Sequence, residues 1–329
     1  MLFLIQSDGT QLDLVCDNYA ITHCYNGEED KLSFTLPRGH ALCAKLKEQA
    51  RIRETTEERI FSLSSVSRGG SDTMSYSAEL DLSGLQEKLL LSWASTASDM
   101  LGAIRQVLPS GWTAASEVPS TPVLQVEGFN GTPLEFIQKC VEVWDYPCQF
   151  APGKVTIKNP AAAAKDVVPF SCELNLQEQP QYRGRADSIA GTYYTALRLV
   201  GDNCTTTATL TDYDSRLIWH YEEDKSVSSQ TALDQRAAAL LKAAAFPVQS
   251  FSCKVIDLAR LQPEKYAALS FALYDTVRSI DPDTGISSSV QIVQYVTYPY
   301  YPENNTVRLN SAPFTLKGKR SSSSGQIKE

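Results

Sequence analysis

The chain has 329 residues, more than one hydrophobic core holds, because cores stop growing near about 250 residues and domains commonly run to about 100 to 150. Its charged residues are mixed in sign, 38 acids against 30 bases for a net charge of −8, which excludes both a disordered polyelectrolyte and a basic nucleic-acid grip. No apolar run approaches the ~20 residues of a membrane span, and the eight cysteines include no Cys-x-x-Cys pair and no Cys/His cluster, so they read as reduced core thiols.

The N-terminal Met1-Leu2-Phe3-Leu4-Ile5 is too short and too poorly flanked for a signal peptide and reads as a first strand. His23-Cys24-Tyr25-Asn26-Gly27 supplies turn chemistry before the alternating Lys31-Leu32-Ser33-Phe34-Thr35-Leu36-Pro37, the pattern of an early hairpin stopped by proline. A connecting segment through Lys45 to Gln49, a strand around Arg59 to Val66, a turn at Arg68-Gly69-Gly70-Ser71-Asp72 and a strand from Met74 to Leu82 follow.

The hydrophobic period then changes to about 3.6. Met100, Leu101, Ile104, Val107 and Leu108 share one face of a helix that Ser98 is placed to cap. Thr132-Pro133-Leu134-Glu135 is a capping box with proline at the first helical position, opening a helix through Ile137, Val141 and Trp144 that stops before Pro147. The strand Cys148-Gln149-Phe150, the turn Ala151-Pro152-Gly153 and the strand Lys154 to Lys158 complete the unit. These two helix–strand units resemble one another, through internal duplication or through convergence on a common unit. Ala161 to Ala164 read as a linker, Pro169 to Gly201 as strand-like, and Gln230 to Ala245 as an Ala- and Leu-rich helix ended by Pro247. Near the end, Val290, Ile292, Val293, Tyr295 and Val296 mark a strand, Asp281-Pro282-Asp283-Thr284-Gly285 a turn, and Pro299 and Pro302 a break.

Chemistry-bearing constellations are sparse. The three histidines, His23, His40 and His220, have no nucleophile context, and no His-Glu-x-x-His, Walker A or Gly-x-Gly-x-x-Gly motif occurs. Asp281-x-Asp283 lacks the further ligands of a calcium loop. The acid runs Glu28-Glu29-Asp30 and Glu222-Glu223-Asp224 read as solvated loops. No catalytic residue, cofactor or metal is therefore assigned. The tyrosine cluster Tyr295, Tyr298, Tyr300 and Tyr301 reads either as strand packing or as a subunit interface, ahead of glycan contact, and all four are taken as candidate interface residues.

Taken together along the chain, these motifs resemble the phage tail hub proteins of the prophage endopeptidase tail family. The resemblance rests on the strand–turn–strand–loop–strand order of Leu269 to Asn310, on Leu32-Ser33-Phe34-Thr35-Leu36-Pro37, on Glu79-Leu80-Asp81-Leu82, on Asn175-Leu176, and on Tyr193 to Gly201. The turn Leu273-Tyr274-Asp275 lacks the family's usual glycine, and Ala196 stands where the family carries arginine. The resemblance implies an α+β, mainly β fold with two small antiparallel β-barrels and a helix–strand middle domain, baseplate-hub-like. It implies a first barrel at 1–93, a middle domain at 94–165, a second barrel at 166–229 and 249–316, the 230–248 helix packing on the middle domain, and a flexible tail at 317–329. It further implies a non-enzymatic homotrimeric ring in a virion tail, made in the host cytoplasm, that meets a tube or distal tail protein above and a tip, spike or fibre protein below. DNA would be transient cargo in its channel, and there would be no stable membrane insertion. Alternatives are the hub of a contractile injection system or tail-like bacteriocin, and a tail-associated cell-wall endopeptidase.

Overall fold

Alternation and capping set the local structure, and the computed structural model shows what they build. It describes residues 1–68, 72–160, 164–171, 194–211, 215–224, 230–245, 250–280, 287–310 and 326–328. The first seven strands are β1 (Leu2–Ile5), β2 (Gln11–Leu14), β3 (Tyr19–Cys24), β4 (Lys31–Pro37), β5 (Arg51–Glu54), β6 (Arg59–Arg68) and β7 (Thr73–Leu80). Next come β8 (Leu90–Trp93), α1 (Met100–Val107), β9 (Thr113–Ser116), β10 (Gln125–Glu127), β11 (Phe129–Gly131), α2 (Pro133–Trp144), β12 (Cys148–Ala151), β13 (Lys154–Ile157) and β14 (Ala164–Phe170). Then follow β15 (Ala196–Val200), β16 (Thr205–Thr209), β17 (Trp219–Glu223), α3 (Gln230–Ala244) and β18 (Ser250–Lys254). The short helices α4 (Leu258–Leu261) and α5 (Pro263–Tyr266) lead to β19 (Thr276–Ile280), β20 (Ser287–Thr297), β21 (Thr306–Asn310) and β22 (Gln326–Lys328).

The chain divides into two units: Met1–Gln179 with Ser252–Arg308 and Leu316–Glu329, and Pro180–Phe251 with Leu309–Thr315. The first is organised by one hydrogen-bonded path, β14-β19-β20-β3-β4-β7-β6-β5-β1-β2, which β21 joins at β20 and β18 joins at β21. Strict alternation on β4 buries Leu32, Phe34 and Leu36 and exposes Lys31, Ser33 and Thr35. Their partners on β7 are Ala78, Tyr76 and Met74, with Phe34 stacked on Tyr76 at 5.0 Å. A full burial of this kind contributes about 1.5–3 kcal/mol per side chain. A bulge between Leu63 and Ser65 shifts the parity of β6, so Leu63 and Val66, three residues apart, both pair with the inward side of β7. Without it, Ser65 rather than Val66 would pair with Tyr76, although Val66 itself stays exposed there. Strands from the two regions expected to form separate barrels meet in this one path where β20 pairs antiparallel with β3, whereas β15, β16 and β17, expected in the second barrel, form a sheet of their own.

Within the same unit, α1 and α2 pack over the sheet β12-β13-β9, in which β9 runs parallel to β13. The expected capping box of α2 is present: the Thr132 N–H donates to Glu135 Oε2 at 2.7 Å, and the Glu135 N–H donates to Thr132 Oγ1 at 3.3 Å. Asp145 closes the helix in the left-handed conformation. The cap of α1 differs from expectation. Asp99, not Ser98, accepts from the Gly102 N–H at 2.8 Å, while the Ser98 hydroxyl donates to the Thr96 carbonyl. Asp99 sits directly before the first helical residue, where a side-chain oxygen reaches the N3 amide.

The second unit sets α3 against the three-stranded sheet β16-β15-β17. Leu233, Ala237 and Leu241, four residues apart, lie on one face of α3 and cover Leu197 and Leu199 of β15. This corrects the assignment of the 230–248 helix to the 94–165 region: its described apolar face packs on the sheet of its own unit. Likewise, the tail expected to be flexible over 317–329 carries β22, which pairs antiparallel with β10. The turn at 281–285, Asn175-Leu176, Pro247 and most of the 161–164 linker lie outside the described residues. Among the described residues no helix is long and apolar enough to cross a membrane.

Candidate interface site

The Gly27–Glu29 turn between β3 and β4 is a single helical turn on which three parts of the first unit converge. A Cβ on Gly27 would lie 2.9 Å from the Cys148 carbonyl oxygen and 3.0 Å from the Gln149 Cα, so only glycine lets the turn approach β12 this closely. Glu28 accepts from the Gln138 side chain on α2. Tyr274, held at a left-handed φ of 78°, donates from its hydroxyl to the Tyr25 carbonyl at 2.8 Å and meets the Tyr25 ring edge-on at 5.2 Å.

Beside this turn lies a buried charge cluster. His23 on β3 reaches Glu57 through Nε2 at 3.2 Å and Asp30 through Nδ1 at 3.8 Å. Arg59 on β6 pairs with Asp30 and, through Nε, with Glu57 at 3.0 Å. Asp30 also accepts from the Cys24 N–H at 2.7 Å. Burial opposes charge on His23, yet the two carboxylates overcome it and hold the imidazolium up to about 9. Burial likewise works against Glu57, but its bond to His23 and the charges of His23 and Arg59 hold its carboxyl below the usual range. The adjacent Cys24 thiol is pushed up to about 11 by burial and then by Asp30, and it donates to the Glu29 carbonyl at 3.3 Å. At neutral pH a protonated imidazole beside an un-ionised thiol supplies neither base nor nucleophile. The arrangement ties strands together.

The four tyrosines are divided by the fold. Tyr295 pairs with His23 across β20 and β3 and is buried; its hydroxyl contacts Asp257 Oδ2 at 3.2 Å and accepts from Asn305 Nδ2 at 3.2 Å. Tyr298 is half-buried, and its N–H donates to Asn305 Oδ1 at 2.8 Å. Tyr300 and Tyr301, 45% and 43% exposed, face outward. Tyr300 meets Tyr19 edge-on at 5.1 Å, and the N-terminal ammonium donates to the Tyr19 hydroxyl at 3.2 Å. Met1 and Val15, which extend the paired ends of β1 and β2, are exposed there as well. Tyr300, Tyr301, Met1 and Val15 are thus the outward-facing candidates.

Sequence reasoning missed the charge cluster because it took Glu28-Glu29-Asp30 for a solvated loop, whereas Asp30 is buried. The signal available was the pairing of a histidine-bearing strand with an acid one turn later. Glu222 and Asp224 of the other acid run are held by Arg236 of α3. His40 accepts from the Leu42 N–H at 3.2 Å, and His220 stacks on Tyr194 at 4.6 Å. The seven cysteines within the described residues are free thiols. Among those residues no three metal-ligating side chains gather; the Asp281–Asp283 pair lies outside them.

Residues 181–318 match the model of the Prophage endopeptidase tail family. Among solved structures, the tail protein from Neisseria meningitidis MC58 is similar with a TM-score of 0.65 at 11% identity, over 94% of this chain and 95% of that one. Prophage tail protein gp18 from Listeria monocytogenes EGD-e gives 0.65 at 13% identity, over 96% and 95%. The 43 kDa tail protein of prophage MuSo2 from Shewanella oneidensis gives 0.67 at 10% identity, over 94% and 97%. At these identities the likeness establishes a shared fold over nearly the whole chain. No curated protein matches by sequence.

Proposed function

We propose, on the premise that this chain is a phage tail-family protein, that it is a structural hub of a phage or phage-like tail. Three copies would form a ring that joins the tube or a distal tail protein to the tip, spike or fibre. The observation that carries the reading is the near full-length sharing of fold with three tail proteins, joined to a Prophage endopeptidase tail region at 181–318. A ring lined by an acidic chain, net charge −8, would repel passing DNA rather than hold it. The bracing at the Gly27 turn suits a part that keeps its shape under load.

Endopeptidase activity is the second reading, favoured by the family's description. The charge cluster argues against it, since His23 is locked between two carboxylates and Cys24 stays protonated. Gold-labelled antibody against this chain, applied to purified particles, is expected to mark the distal end of the tail tube, with no peptide released from added cell wall. Label on the head, or release abolished by one point substitution in this chain, would overturn the proposal.

A further inference from the structure

Strand β10 is three residues long, and its two edges are used differently. On one side the Val126 N–H donates to Ser95 Oγ at 2.9 Å and the Val126 carbonyl accepts from the Ser95 N–H at 2.9 Å. Alternation turns the backbone groups of Gln125 and Glu127 to the other side. That side is taken by β22, in the register Gln125↔Lys328, Val126↔Ile327 and Glu127↔Gln326. Among the described residues β10 and β22 form a sheet of their own.

We propose that this edge of β10 is a strand-acceptor site and that β22 is its exchangeable occupant, so that in the assembled ring β22 of one copy seats on β10 of the next. The inference rests on the trimeric reading above. Three physical points lead to it. A three-residue strand is held by few hydrogen bonds, each a small net contribution, so its seat opens readily. Residues 311–325 connect it to β21, and their Gly- and Ser-containing sequence reaches up to about 50 Å if extended. Exchange between identical copies replaces each contact by the same contact, so it links neighbours without any new interface chemistry.

The test uses Gln125→Cys and Lys328→Cys, whose Cα positions are register partners and so lie within disulfide range. A chain carrying both is oxidised alone; separately, two chains carrying one each are co-expressed, purified and oxidised, with each single variant giving the background from native cysteines. Exchange predicts a covalent two-chain product from the co-expressed pair, several-fold above either single variant. An intrachain loop in the double variant without that product, in material with the mass of three chains, would overturn the exchange. No link in either sample would overturn the acceptor site itself. A co-expressed sample with the mass of one chain would mark the failure as that of the trimeric reading, and would take the exchange with it.

Discussion

Residues 93–158 and residues 194–245 each lay helix over a three-stranded sheet, but they fill the space between with different side chains. In the first region the interior is aromatic: Phe136 of α2 meets Trp93 at 4.8 Å and Phe129 at 5.1 Å, both edge-on, with Trp144 and Phe150 in the same core. In the second, α3 offers Leu233, Ala237 and Leu241 to Leu197 and Leu199, while the aromatic residues Trp219 and Tyr221 of β17 stand exposed. Large rings buried in well-shaped contacts stabilise far more than alanine and leucine on a small sheet. The same architecture is thus filled by clustered rings in one region and, among the described residues, mainly by alanine and leucine in the other, where Tyr194 is buried but Trp219 and Tyr221 are outside.

The largest expected effect tests that difference. Phe136→Ala should cost about 3–5 kcal/mol and Leu241→Ala about 2–5, with the first at the upper end and the second at the lower because the ring removed from Phe136 is larger and packs edge-on against two other rings. Denaturant midpoints of the two variants check it; a Leu241→Ala loss equal to or greater than that of Phe136→Ala breaks the comparison.

The next effect sharpens the first region alone. Thr132→Ala removes the hydroxyl that accepts from the Glu135 N–H and should cost about 1 kcal/mol. Glu135→Gln keeps the reciprocal bond to the Thr132 N–H and should cost less than Glu135→Lys, which also sets a positive charge on the positive end of the helix. Equal midpoints for wild type and Thr132→Ala would show that the cap does not hold α2.

A further effect is one of pH. Because the folded state holds His23 at about 9, above the ~6.5 of an unfolded chain, its contribution is complete below about 6.5 and fades as pH rises through 9. Glu57, held below its ordinary value, acts in the opposite sense and loses its contribution only in acid. The midpoint difference between wild type and His23→Gln should therefore be largest near pH 6 and shrink toward pH 9.5. A difference that stays constant over that range contradicts the charged assignment.

Much of this was legible beforehand, and unevenly. Alternation at Lys31–Pro37, the β-rich run Val290–Val296, the capping box at Thr132 and the Ala/Leu run of α3 are local signals, and strand or helix stands at each of them. The Asp99 cap was misplaced by one residue because serine and aspartate compete for the same role at adjacent positions. What could not be read was long-range. The partner sheet of α3, the meeting of β3 with β20 and the charge cluster of His23, Asp30, Glu57 and Arg59 depend on contacts between distant segments. The four tyrosines were read together as interface candidates, and only the fold separates the buried Tyr295 from Tyr300, which lies against Tyr19 at the surface.

The hub reading stands or falls on how many copies assemble. Mass photometry or sedimentation of the purified chain at micromolar concentration should give the mass of three chains, in keeping with closed cyclic symmetry. A stable single chain that remains single even in the presence of its tail partners would contradict it.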